Sequence, residues 1–125
     1  MDNTNFIILM LICMIFLHIV DDYYLQQGVL ANMKQKSWWE KNYSSKKYKY
    51  DYIVALIVHG FSWTFMIMLP AMIKGFFPVW LFVINWIIHS VTDHLKANMK
   101  KINLITDQMI HLLQIYFTWV ICFVI

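Results

Sequence analysis

The 125-residue chain is 61% hydrophobic and 18% aromatic but only 14% charged, where an average soluble domain is roughly a quarter charged. That excludes an ordinary soluble domain and leaves room for one membrane domain, residues 1–125. All ten basic residues are lysine. Without the planar arginine fork, bidentate phosphate or nucleic-acid recognition is not expected, and no nucleic-acid partner is assigned.

In chain order, the first apolar segment covers residues 6–27 and holds twelve consecutive apolar residues before His18. Its flank, MDNTN, has no lysine, and no small-residue cleavage site follows, so a signal peptide is not expected. About 22 residues of helix reach roughly 33 Å, the thickness of a bilayer core. A lysine-rich, aromatic connection occupies 28–51, and further apolar segments cover 52–73, 78–98 and 103–125. Pro78 suits the first turn of the third segment, while Pro70 should end or kink the second. The expected fold is all-α, a polytopic bundle of four transmembrane helices. Cys13 and Cys122 sit in apolar runs with no paired spacing and read as packing or lipid-facing residues.

Lysine placement sets the expected orientation. Lys34, Lys36, Lys41, Lys46, Lys47 and Lys49 lie in the first connection, and Lys96, Lys100 and Lys101 lie near the third, against Lys74 alone on the other side. Both lysine-bearing connections should therefore be cytoplasmic, with both termini outside, in the cell (inner) membrane. The first connection mixes its lysines with Trp38, Trp39, Tyr43, Tyr48 and Tyr50. That composition suits a segment lying in the headgroup layer against anionic lipid, and equally an ordinary topogenic loop.

Counted inward from the lysine-rich side, His18, His59, His89 and His111 share a level roughly 12 to 13 Å deep. Asp22, Asp93 and Asp107 fall about one turn nearer that side. His89 with Asp93, and Asp107 with His111, are four residues apart and share a helix face. Ionisable groups at such depth face one another and mark a site. These seven residues are the candidate ligands of one or two divalent ions, zinc or else manganese or iron, since imidazole and carboxylate without cysteine suit those metals. A spare carboxylate among Asp22, Asp93 and Asp107 would act as base. Gln26, Gln108, Lys34 and Lys96 are the candidate substrate-binding residues at the mouth. Asp21 and His94 adjoin ligands but point about 100° away on an ideal helix and read as mouth residues. Each half of the chain pairs His-x-x-x-Asp on a descending helix with His on an ascending one, which would set four histidines around an axis along the membrane normal.

The run His18, Asp22, Tyr23, Leu25 and Gln26, then Lys34, then His89, Asp93 and Lys96, then Asp107, Gln108 and His111 resembles a bacterial and phage family of small polytopic membrane proteins of unknown function. That resemblance covers most of the chain and implies no activity. Three functions stay open on the residues themselves. One is a metal-dependent hydrolase or transferase acting on a lipid-linked or phosphorylated substrate. Another is a divalent-cation or proton transporter, a reading weakened by the few polar residues above the histidines and dependent on a homo-oligomer to supply a path. The third is a phage-type lysis or exclusion factor.

Overall fold

The computed structural model describes residues 3–43 and 45–125. Met1 and Asp2 of the lysine-free flank, and Ser44 of the first connection, lie outside the described residues. All regular structure among the described residues is helical. Helix α1 spans Asn3–Ile19 and continues as a π-helical turn over Val20–Leu25. The chain reverses at Gly28, whose φ of 62° suits a residue without a Cβ. Two short helices follow, α2 (Val29–Met33) and α3 (Lys36–Asn42), then a 3-10 turn, Lys46–Tyr48. The long helices α4 (Asp51–Ile73), α5 (Val79–Ala97) and α6 (Leu104–Trp119) complete the fold, α6 running on as a π-helical end over Val120–Val124.

The ends of these helices have local causes. The Asn103 side chain accepts from Thr106 N at 2.9 Å and caps α6. Pro78 is the cap residue of α5, one position earlier than expected. Pro70 lies inside α4, which carries on only to Ile73.

Asn3–Leu25, Lys46–Ile73 and Leu104–Val124 are long and apolar enough to cross a membrane. Where four such spans were expected, three qualify by length and composition among the described residues. Helix α5 has 19 residues, but Asn85, His89, Asp93, His94 and Lys96 interrupt its apolar run.

Helix α1 packs on α4 and α6, and α5 packs on the same two, so the four long helices close a square. At one end the α5–α6 turn meets the first connection, where Asn98 Nδ2 donates to Lys34 O at 2.9 Å and Asn98 Oδ1 accepts from Lys36 N at 2.6 Å. At the other end Trp119 Nε1 donates to Ile7 O at 2.8 Å. There the interior is apolar, built on Met14, Trp63, Ile67, Met68, Ile115 and Phe123. Toward the lysine-rich end it is polar, burying His18, Asp21, His59, His89, Asp93, Asp107 and His111. The outer surface carries Phe16, Val58, Ile87, Leu113 and Phe117, each more than half exposed. A polar interior inside an apolar exterior is the distribution a lipid solvent selects.

Helices α4 and α5 touch at Gly60. A Cβ there would collide with Ser90 Oγ and lie 3.1 Å from the Trp86 ring. The close approach lets Trp86 Nε1 donate to Ile57 O at 2.7 Å, tying α5 to the α4 backbone.

Candidate metal centre

Four helices deliver the polar residues of the lysine-rich half. Two pairs follow simple helical spacing, His89 with Asp93 on α5 and Asp107 with His111 on α6. The α1 contribution differs. Its π-helical turn widens the helix at Val20–Leu25, so consecutive positions no longer diverge by the 100° of an α-helix. Asp21, expected at the mouth, is instead fully buried, and Asp22 stays with the centre at 10% side-chain exposure.

His59 of α4 is the hub. Its Nε2 lies 3.1 Å from His89 Nε2, 3.2 Å from Asp22 Oδ1 and 3.2 Å from Asp93 Oδ2. One ring nitrogen has a single N–H or a single lone pair and can serve only one of these partners. Ligands at 2.0 to 2.1 Å from a tetrahedral ion stand about 3.3 Å apart, so the spacing matches a shared ion. Behind the ring, His59 Nδ1 faces Asp21 Oδ2 at 3.5 Å, and Asp21 Oδ1 accepts from Ser62 Oγ at 2.6 Å. A carboxylate behind an imidazole orients it and makes it a better ligand.

Hydrogen-bond directions separate His111 from His18. Thr118 Oγ1 donates to Gln114 O at 2.7 Å, so it must accept from Asn85 Nδ2 at 2.8 Å. Gln114 Nε2 then donates to Asn85 O and Asn85 Oδ1, at 3.0 and 3.1 Å. That leaves Gln114 Oε1 to accept from His111 Nδ1 at 3.3 Å. Neutral His111 therefore carries its proton on Nδ1 and turns the Nε2 lone pair toward Asp93 and Asp107. His18 is the opposite case. Trp63 Nε1, which can only donate, gives its hydrogen to His18 Nδ1 at 2.8 Å. His18 Nε2 then donates to Gln108 Oε1 at 3.1 Å, and Gln108 Nε2 donates to Asp107 Oδ2 at 3.0 Å.

Among the described residues, two groups of donor atoms come close enough together to hold an ion: Asp22, His59 and His89, and His89, Asp93 and His111. Of the seven expected ligands, His18 and Asp107 stand outside both. His18 has both nitrogens engaged, while Asp107 offers Oδ1 toward His111 Nε2 at 3.4 Å. Asp21 Oδ2, His59 Nδ1, His89 Nδ1, Asp107 Oδ1 and His111 Nε2 are buried without a hydrogen bond. Buried polar atoms are ordinarily paired; four of these face each other as histidine–carboxylate pairs at 3.4 and 3.5 Å, long for hydrogen bonds, so the donor set could hold a cation.

Of the four expected substrate-binding residues, two are lysines engaged with carboxylates. Lys34 Nζ donates to Asp93 Oδ2 at 2.7 Å and Lys96 Nζ to Asp107 Oδ2 at 2.6 Å. Gln108 bridges His18 to Asp107, and Gln26 edges a groove of about 440 Å³. That groove runs between α2 and α4 past Leu30, Met33, Val54 and Ala55 to His59. A second, of about 790 Å³, opens between α1 and α6 at Tyr24, Gln27 and Leu112 and reaches His18 and Gln108. His94 stays outside the centre, stacked on Tyr52.

Sequence reasoning missed Trp63, which fills the middle of the imidazoles and stacks on His89 at 4.2 Å, and Gln114. Gln114 follows His111 by three residues, a helical neighbour that the spacing could have flagged. Asp21 carried no such signal, because the π-helical turn is not written in the hydrophobic pattern.

No curated protein and no solved structure matches this chain. A family model does match, over residues 9–125, which takes in α1 from residue 9 onward, the whole of α4, α5 and α6, and every residue of the centre. The chain belongs to the family described as protein of unknown function (DUF3307).

Proposed function

We propose that this chain is an inner-membrane, metal-dependent hydrolase or transferase acting on a lipid-linked or phosphorylated substrate. The carrying observation is His59 Nε2 with three donor atoms at 3.1 to 3.2 Å. In this reading His59, His89, Asp22 and Asp93 bind a divalent ion, zinc, manganese or iron, and Asp21 and Gln114 orient imidazoles. The four carboxylates and two lysines of the centre sum to −2 with neutral imidazoles, and one divalent ion neutralises them. The bound ion lowers the pKa of a water and polarises a carbonyl or phosphoryl oxygen. In this reading a carboxylate left off the ion accepts the proton.

The reading takes four membrane helices with both termini outside and the centre near the cytoplasmic face, and the lysine distribution supports that orientation. The groove past Leu30, Met33 and Ala55 to His59 suits an acyl or prenyl chain entering from the bilayer. Lys34 and Lys96 lie beside the carboxylates that an anionic headgroup would approach, and the aromatic, lysine-rich segment around α3 suits anionic lipid. A phage-type lysis factor would have no use for such a centre.

Elemental analysis of detergent-purified protein tests the reading. At least one divalent ion per chain is expected in the wild type and none in His89→Ala. A folded wild type that takes up no ion from zinc, manganese or iron solutions would sink it. Transport is the second reading, favoured by the buried file His111, Gln114, Asn85 and Thr118 leading away from the centre. That file stops at the apolar core of Ile67, Met68, Ile115 and Phe123. Zinc, manganese or proton flux into proteoliposomes, abolished by His89→Ala, would favour it over the enzyme.

A further inference from the structure

The donors around His59 use only one side of Asp93. On its other side, His111 Nε2 and Asp107 Oδ1 are fully buried, lie 3.4 Å apart and make no hydrogen bond. Asp93 Oδ1 is 3.6 Å from the same nitrogen. The Thr118, Asn85 and Gln114 chain puts the proton of neutral His111 on Nδ1. A lone pair therefore faces two carboxylate oxygens in a site closed to solvent. Such an assembly is repulsive unless a proton or a metal ion joins it, and gaps of 3.4 and 3.6 Å, long for a hydrogen bond, are close to the separation of two ligands on one ion. The lysines do not serve, because both bind the opposite oxygens: Lys96 takes Asp107 Oδ2 and Lys34 takes Asp93 Oδ2.

We infer that the centre binds two divalent ions, with the Asp93 carboxylate as the bridge. Oδ2 serves the ion held by His59, His89 and Asp22, and Oδ1 serves a second ion held by His111 Nε2, with Asp107 Oδ1, which lies outside both groups named above, drawn in across its 3.4 Å gap to that nitrogen. This rests on the metal reading above and deepens it. Two ions take the centre from −2 to +2. A buried excess of positive charge selects an anionic ligand, and a phosphoryl group can span two ions and have both its attacking and leaving oxygens stabilised. The substrate class that follows is a phosphate ester, entering with or after the second ion.

The test uses the full chain in detergent, equilibrated with manganese(II) and inorganic phosphate, with the ions counted by elemental analysis and read by electron paramagnetic resonance. Two ions per chain with an exchange-coupled signal are expected in the wild type. One uncoupled ion is expected in Asp107→Asn and in His111→Gln, the retained ion showing that the first position is intact. One uncoupled ion in the wild type would overturn the second site and leave the single-ion enzyme standing. No ion at all would overturn both. Loss of both ions from Asp107→Asn and His111→Gln alike would overturn the division of ligands, since the two positions would not be separable.

Discussion

Trp63 Nε1 donates to His18 Nδ1 at 2.8 Å, and that bond occupies one nitrogen of one of the four imidazoles. The indole has no acceptor to offer, so His18 must receive on Nδ1 and give on Nε2. The same indole stacks on His89, which itself stacks on His111 at 4.2 Å. One buried residue of α4 therefore organises three histidines from three other helices. His18 links through Gln108 to Asp107 and acts on the centre by holding those side chains in place.

His18→Gln should keep wild-type ion content, because Gln can still accept from Trp63 and donate to Gln108. His89→Ala should lose the ion. Elemental analysis of the two proteins side by side reads the difference, and equal loss in both would return His18 to the ligand set.

Asp21 is fully buried and reaches His59 from behind the ring, at 3.5 Å, while Ser62 holds its other oxygen at 2.6 Å. Carboxylates in this position typically change metal affinity by about 10- to 100-fold. Asp21→Asn should therefore weaken the ion by about that factor, with Ser62→Ala in the same direction and smaller, as measured by competition with a chromophoric chelator. Unchanged affinity in Asp21→Asn would reduce Asp21 to a packing residue.

Why Asp21 escaped sequence reading and His89 did not is a matter of geometry. Depth along a helix follows from residue count alone, so the level shared by His18, His59, His89 and His111 was legible once the helix ends were placed. Which way each side chain points depends on helical phase, and a π-helical turn shifts that phase by most of a residue step. The lysines illustrate a second limit. Lys34 lies 59 residues from Asp93, and only the folding of α2 against the α5 terminus brings them to 2.7 Å. The α5 helix was expected to cross the membrane like the other three, and it bears the densest set of polar centre residues. Those polar residues turn inward, while Val83, Ile84, Ile87, Ile88 and Val91 give it an apolar exposed face of its own.

The Lys34 pair should matter more to stability than any exposed pair. Lys34 and Asp93 are 14% and 2% exposed, and Asp93 sits against three imidazoles. Removing one partner of a buried ion pair costs about 3 to 5 kcal/mol, because the other charge stays buried. Lys34→Met should destabilise the metal-free protein toward the low end of that range, since His59 still contacts Asp93, and added manganese should recover part of the loss. Lys36 and Glu40, 49% and 65% exposed, should contribute about 0 to 1 kcal/mol. Denaturant titration in detergent, with and without manganese, compares Lys34→Met with Lys36→Ala. Equal effects would mean that the Lys34 contact is loosely held.

Gly60 offers a test of the packing that brings α4 and α5 together. Any Cβ there meets Ser90 Oγ, the Trp86 ring at 3.1 Å and the Trp86 carbonyl at 3.3 Å. The hydroxyl can move or be removed, whereas the carbonyl belongs to the helix and cannot yield without shifting α5. Overpacking of this kind costs about 1 to 3 kcal/mol. Gly60→Ala should fall in that range, and combining it with Ser90→Ala should restore part of the stability but not all, because the Trp86 contacts remain. His59 precedes Gly60 and His89 precedes Ser90, so the same displacement would separate the Nε2 atoms that stand 3.1 Å apart. Gly60→Ala should accordingly weaken the ion as well as the fold, and the double variant should recover both together. Recovery of stability with no recovery of ion affinity would show that the helix spacing at Gly60 does not set the His59 to His89 distance.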